Sequence, residues 1–180
     1  MDKKIRTRSR VSRRRALVTA LGAILLLAGW AKPALAERRL AFAVAGVVEA
    51  VMVRPGQKVA KGAALARLDL RPLEAEANAA AAELKTAQLE HELAVANMER
   101  VQQLYDDLST SKEELERATL RLARGEAGLA RAEATDARAQ WRLERGTLSA
   151  PVAGVIQSIT GYIGLVVDPA ARFTPVVVMK

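Results

Sequence analysis

The chain has 180 residues, a formal net charge of +8 and no cysteine. Nine of its 28 Lys/Arg and one of its 20 Asp/Glu lie within residues 1–36, so the rest is electrically balanced; with aromatics at only 3%, nothing marks a nucleic-acid surface, which needs clustered basic side chains and stacking rings. The lack of cysteine excludes a disulfide framework, a thiol nucleophile, a cysteine-based metal site and an N-terminal lipidated cysteine.

Residues 1–36 have the pattern of a secretory signal peptide. A basic region ends at Arg15, an apolar run spans Ala16–Ala31, and Ala34-Leu35-Ala36 is a small-x-small exit that predicts cleavage before Glu37. Ser12-Arg13-Arg14-Arg15-Ala16-Leu17 is also similar to a twin-arginine signal. The apolar run falls short of the ~20 residues that span a bilayer, which favours cleavage over an uncleaved anchor. Both readings send the remainder out of the cytoplasm.

Residues 37–70 read as short strands broken by turns. Phe42, Val44, Val47, Val48, Val51, Val53, Val59, Leu65 and Leu68 are strand-type residues near alternate spacing. Arg54-Pro55-Gly56-Gln57 is a turn signal, since Pro presets φ and Gly accepts positive φ, and Lys61-Gly62 is a second.

Residues 71–147 read as a helical hairpin, with no proline between Pro72 and Pro151. One apolar stripe runs Leu73, Ala77, Ala80, Leu84, Ala87, His91, Ala94, Met98, Val101, Tyr105; a second runs Leu115, Ala118, Leu122, Gly125, Leu129, Ala132, Asp136, Ala139, Leu143. Both keep the seven-residue rhythm of a coiled coil. Pro72 suits a first helical turn. Residues 106–111 are the polar break, and Ser111 with Glu114 three residues on is a capping box for the second helix. Folded back about residue 108, the stripes pair Leu73 with Leu143, Leu84 with Ala132, Ala87 with Leu129, Ala94 with Leu122 and Val101 with Leu115. Asp136 is expected at the seam edge, reaching solvent. The charged helix faces read as ordinary solvated Glu/Arg pairing.

Residues 148–180 repeat the β style. Val155, Ile156 and Ile159 predict a strand, Leu165–Val167 another, Asp168-Pro169 a turn and residues 175–179 a last strand. Neither β half can build a core alone, whereas the two packed face to face can bury a small one. The fold class is therefore α+β: a split β-sandwich with a long antiparallel coiled-coil hairpin inserted.

These segments carry a family resemblance. Residues Phe42–Val48 and Val53–Asp69 (Val-Arg-Pro-Gly-Gln-Lys-Val-Ala-Lys-Gly-Ala-Ala-Leu-Ala-Arg-Leu-Asp) are similar to the first lipoyl-like half-motif of periplasmic adaptors, the HlyD-like membrane fusion proteins. Leu148–Ile156 (Leu-Ser-Ala-Pro-Val-Ala-Gly-Val-Ile) resembles the second half. The resemblance covers about residues 38–160 and implies a lipoyl/biotinyl-like sandwich with Gly46, Pro55, Gly56, Gly62, Pro151 and Gly154 at its turns. It implies a non-enzymatic adaptor without cofactor, linking an inner-membrane transporter of the RND or ABC type to a TolC-type outer-membrane channel and packing with its own copies into a ring. In adaptors of resistance-nodulation-division pumps an Arg, a Leu four residues on and a Ser seven further touch the channel; Arg100, Leu104 and Ser111 have that spacing at the break between helices. The family's β-barrel and membrane-proximal domains have no counterpart in this sequence, which reads as a minimal adaptor or a truncated product.

Two other readings stand beside this one. A structural coiled-coil protein would have the same hairpin. A biotin or lipoyl carrier is suggested by Val178-Met179-Lys180, but in that fold the modified lysine sits between the half-motifs, where this chain has its hairpin. His91 is the sole histidine and lies on the seam opposite Gly125, so it makes neither a metal site nor a triad.

Overall fold

A computed structural model of the chain describes residues 37–180; the segment expected to be a signal peptide lies outside the described residues. Among the described residues eight strands flank two helices: β1 Arg38–Leu40, β2 Gly46–Val51, β3 Lys58–Val59, β4 Ala64–Leu68, α1 Arg71–Asp106, α2 Lys112–Arg145, β5 Thr147–Ser149, β6 Gly154–Ile159, β7 Val166–Val167 and β8 Val177–Met179. Among the described residues no helix is long and apolar enough to cross a membrane.

The strands form two antiparallel four-stranded sheets, ordered β1-β8-β6-β3 and β5-β4-β2-β7. Each sheet takes two strands from either side of the hairpin, so the expected packing of one half on the other is replaced by interleaving. The reason lies in strand length. Strands of two to six residues give each half few ladder bonds of its own, and lending strands to the other sheet supplies the missing partners. Both sheets cover one core, in which Val48, Leu65, Leu68, Ile156, Val176, Val177 and Met179 are at most 1% exposed. Phe42 and Val44 lie in the loop before β2 rather than in a strand, yet both are buried in that core.

The two halves repeat each other in their central strands and in the turns that pair with them. β2 and β6 have the same length and the same alternation of exposure, as do β3 and β7. The Gly56 N–H donates to Ile156 O and the Gly164 N–H to Val48 O, both at 2.8 Å. Ile156 N–H donates to Gln57 O and Val48 N–H to Leu165 O, both at 2.9 Å. Gly56 and Gly164 sit at equivalent turns with φ of 81° and 89°, a conformation that costs glycine little and a side-chain-bearing residue more.

The hairpin grows out of adjacent strands, α1 following β4 and α2 leading into β5. Asp69 starts α1: its carboxylate accepts from the backbone N–H and the guanidinium of Arg71, and that hydrogen bonding holds it below the usual carboxylate range. The helices have 36 and 34 residues, which at a rise of ~1.5 Å per residue makes a rod of about 50 Å. Every position of both predicted stripes is buried or half-buried. A Cβ on Gly125 would meet the His91 Cα at 3.3 Å, and the Thr119 hydroxyl reaches Met98 Sδ at 3.7 Å, so the antiparallel register is the one the stripes imply. At the base Leu73 is buried in the β core, and Leu70 and Leu143 pack against it.

Two seam details depart from expectation. Asp136 is half-buried and its Oδ1 is enclosed without a hydrogen-bond partner, as is Asn97 Nδ2, so Asp136 does not simply reach solvent. Glu114 does not close the capping box; its carboxylate faces Arg117 and Arg121.

Candidate functional site: the hairpin tip

The tip is built from the last turn of α1, residues 107–111 and the first turn of α2. The α1 end closes with two reversed bonds, Ser109 N–H to Leu104 O at 2.7 Å and Leu108 N–H to Tyr105 O at 3.0 Å. This pair defines a Schellman stop, whose closing residue is left-handed and usually glycine. Here it is Leu108, with φ of 54°, the only non-glycine with positive φ among the described residues. A branched side chain there costs about 1–2 kcal/mol. Leu108 is also 92% exposed. It is the tip residue that sequence reading missed; the available signal was a helix stop with no Gly or Asn between residues 106 and 111.

The three residues singled out from the sequence all lie at this end of the rod. Arg100 and Leu104 are one helical turn apart on the same face of α1; Arg100 is exposed and has no ion-pair partner among the described residues, and Leu104 is 41% exposed. Ser111 is the N-cap of α2, its Oγ accepting from Glu114 N–H at 3.2 Å. The Ser109–Leu104 bond holds Leu104 at the foot of the turn that Ser111 closes. The tip thus offers a guanidinium fork, two apolar side chains and a hydroxyl that keeps a donor free.

Of the residues expected at turns in the β unit, Pro55, Gly56 and Gly62 are in turns and Pro151 is in the bend before β6. Gly46 and Gly154 instead open strands β2 and β6. Close packing requires glycine at 154, where a Cβ would lie 2.5 Å from Lys180 O, whereas at Gly46 a Cβ would meet only the end of the Leu68 side chain, at 3.0 Å. Lys180 itself exchanges backbone hydrogen bonds with Val155, both at 2.9 Å, and so extends the ladder beyond β8. Among the described residues no group of His, Asp and Glu could hold a metal ion.

No family model and no curated protein matches the sequence. Solved structures do match. The MacA-MexA chimeric protein containing the Pseudomonas aeruginosa MexA α-hairpin domain has a TM-score of 0.60 and 23% identity, over 81% of this chain and 46% of that one. ZneB from Cupriavidus metallidurans gives 0.60 and 17%, over 82% of this chain and 61% of its own. The membrane fusion protein Spr0693 from Streptococcus pneumoniae R6 gives 0.57 and 15%, over 80% and 62%.

The chain has the fold of a membrane fusion protein. It spans about half the length of the structures it matches. The membrane-fusion-protein fold accounts for the α+β architecture and for the hairpin between the two β segments, and it puts the tip described above at the far end of that hairpin.

Proposed function

We propose that the chain is a non-catalytic periplasmic adaptor of a tripartite efflux or secretion system. In this reading residues 37–70 and 148–180 form a lipoyl-like base and residues 71–147 form a rod whose tip docks on a TolC-type outer-membrane channel. The base packs with other copies into a ring, next to an RND or ABC transporter of the inner membrane. The observation that carries the reading is the tip itself. At the tip Leu108 is 92% exposed on a left-handed backbone, and Leu104, 41% exposed, lies one turn from Arg100, which has no ion-pair partner among the described residues. Exposed leucine beside a planar donor fork suits a surface of helix ends, where carbonyls await donors and apolar side chains leave gaps. Ser111 adds a hydroxyl while capping α2.

The repeat of the central strands and turns supports the lipoyl-like reading, as half-motifs joined into one domain should repeat. The insertion of the hairpin between β4 and β5 speaks against a carrier, whose modified lysine would need that turn.

The test is cross-linking of the exported chain to the channel in intact cells. Arg100→Asp and Ser111→Arg, each with helix content retained, are expected to abolish the cross-link. Undiminished cross-linking in both would overturn tip docking and leave a structural coiled coil.

A further inference from the structure

The seam of the hairpin is closed at its two ends and thin between them. The fully buried residues of α1 are Leu73, Ala77 and Ala80 toward the base and Val101 toward the tip; those of α2 are Ala118 toward the tip and Ala139 toward the base. Between these, residues 81–94 of α1 face residues 122–135 of α2 in the register set by His91 and Gly125, and none of them is fully buried. Among the described residues the side chains of the two helices exchange polar contacts only outside this stretch, Thr119 with Met98 toward the tip and Arg142 with Glu76 toward the base. Beside Gly125 the seam opens into a groove lined by Leu93, Ala94, Asn97 and Arg124.

Three local features weaken the same stretch. The first is glycine. Gly125 and Gly128 lie inside α2, where each disfavours the helix about fivefold relative to alanine. Gly125 makes room for His91, whose Cα would lie 3.3 Å from an added Cβ. Gly128 makes room for nothing, since a Cβ there would meet no atom within 4 Å, so its effect falls on the helix backbone alone. The second is charge. A solvated helix face gains support from opposite charges three or four residues apart. Such pairs are present in the first turns of α2, where Arg117 faces Glu113 and Glu114. In the middle of the rod Lys85, Glu90, Arg124, Glu126, Arg131 and Glu133 find none in either direction, so the ordinary pairing expected from the sequence does not extend there. The third is a pair of enclosed polar atoms. Asp136 Oδ1 borders the stretch on the base side and Asn97 Nδ2 on the tip side, and neither has a hydrogen-bond partner. Each gains one from water when the seam opens, so closure is penalised at both borders.

We infer that the middle of the rod is a joint: residues 81–94 and 122–135 open and bend locally while the seam toward the base and the seam toward the tip stay closed. Segments with few buried apolar contacts open at lower free energy than the rest of a fold, and helices kink where small residues interrupt them. Gly128 is the residue most specific to this role, because packing gives it no other. Under the docking reading, on which only the joint's purpose rests, it lets the tip align with a channel while the base stays packed in its ring.

The test is hydrogen exchange of the mature full chain, read by mass spectrometry. In the wild type the amides of residues 84–94 and 122–135 are expected to exchange at least about tenfold faster than those of the flanking stretches, residues 74–80 and 138–143 toward the base and residues 98–103 and 117–120 toward the tip. Gly128→Ala is expected to slow exchange in the middle by about fivefold and to leave the flanks unchanged. Ala127→Gly, at an exposed position of the same turn, is expected to speed it by about as much. Asn97→Leu with Asp136→Leu removes both enclosed polar atoms and is expected to slow it by at least about tenfold. Uniform exchange along the wild-type rod overturns the inference, as does a fast middle that Gly128→Ala and Ala127→Gly both leave unchanged. Spin labels at Ser109→Cys and Val155→Cys read the bend directly: their distance is expected to be broadly distributed in the wild type and narrower once Gly128→Ala, Asn97→Leu and Asp136→Leu are combined. A single narrow distance in the wild type overturns the joint. Tip cross-linking judges docking separately, since it can persist in a rigid rod and fail in a jointed one.

Discussion

In the β unit the deepest side chains are large: Leu65, Leu68, Ile156 and Met179 are at most 1% exposed. In the hairpin the deepest are small: Ala118 at 0%, Ala77 at 2% and Ala139 at 3%. The first is a compact core closed by two interleaved sheets. The second is a thin seam that lets two helices approach closely but buries little per residue. The difference teaches that the two regions store different things. The base holds stability in its interior. The hairpin is held by length and repetition, so its outward-facing residues are free to carry recognition.

The largest effect should come from the base. Leu68→Ala and Ile156→Ala each remove a fully buried side chain and are expected to cost about 2–5 kcal/mol, read from urea unfolding. A loss under 1 kcal/mol would mean that the core is less tightly packed than its burial implies. Gly154→Ala should follow at about 1–3 kcal/mol, because the added methyl meets the backbone of Lys180 rather than a movable side chain. The tip should behave in the opposite way. Leu108→Gly relieves a left-handed leucine and is expected to gain up to about 1 kcal/mol while weakening docking. A variant that is less stable, or that docks as well as wild type, would show that Leu108 is neither strained nor used.

The smallest effect should come from Asp69, where base and rod join. Its folded pKa is lowered, chiefly by the Arg71 side-chain hydrogen bond, so its contribution is present above the unfolded value of about 3.9 and is lost as pH falls through the lower folded value. Asp69→Asn should therefore be slightly less stable than wild type at pH 6, and the difference should shrink as pH falls below the unfolded value of about 3.9. A difference that persists in acid would contradict this assignment.

The rod was more legible in the sequence than the base. A seven-residue stripe names its own partner once the turn is placed, and the contact of His91 with Gly125 follows from spacing alone. The interleaving was hidden because strand pairing is non-local. Alternation marks Val47 and Val166 as strand residues, but nothing local says that they pair with each other. Gly154 reads as a turn glycine because the close approach that requires it comes from Lys180, which nothing in its own segment announces. At the tip, Arg100, Leu104 and Ser111 were singled out only by the likeness of their spacing to that of resistance-nodulation-division adaptors. Leu108 could not be singled out, since its left-handed backbone is imposed by the closing bonds and contradicts its own preference.

The chain has no cysteine of its own, so single cysteines can report contacts site by site. The most direct test compares Leu104→Cys at the tip with Val155→Cys on the exposed face of the base, each cross-linked in intact cells and probed for an outer-membrane channel. The account predicts a cross-link from Leu104→Cys and none from Val155→Cys. A channel cross-link from the base, with none from the tip, would contradict it.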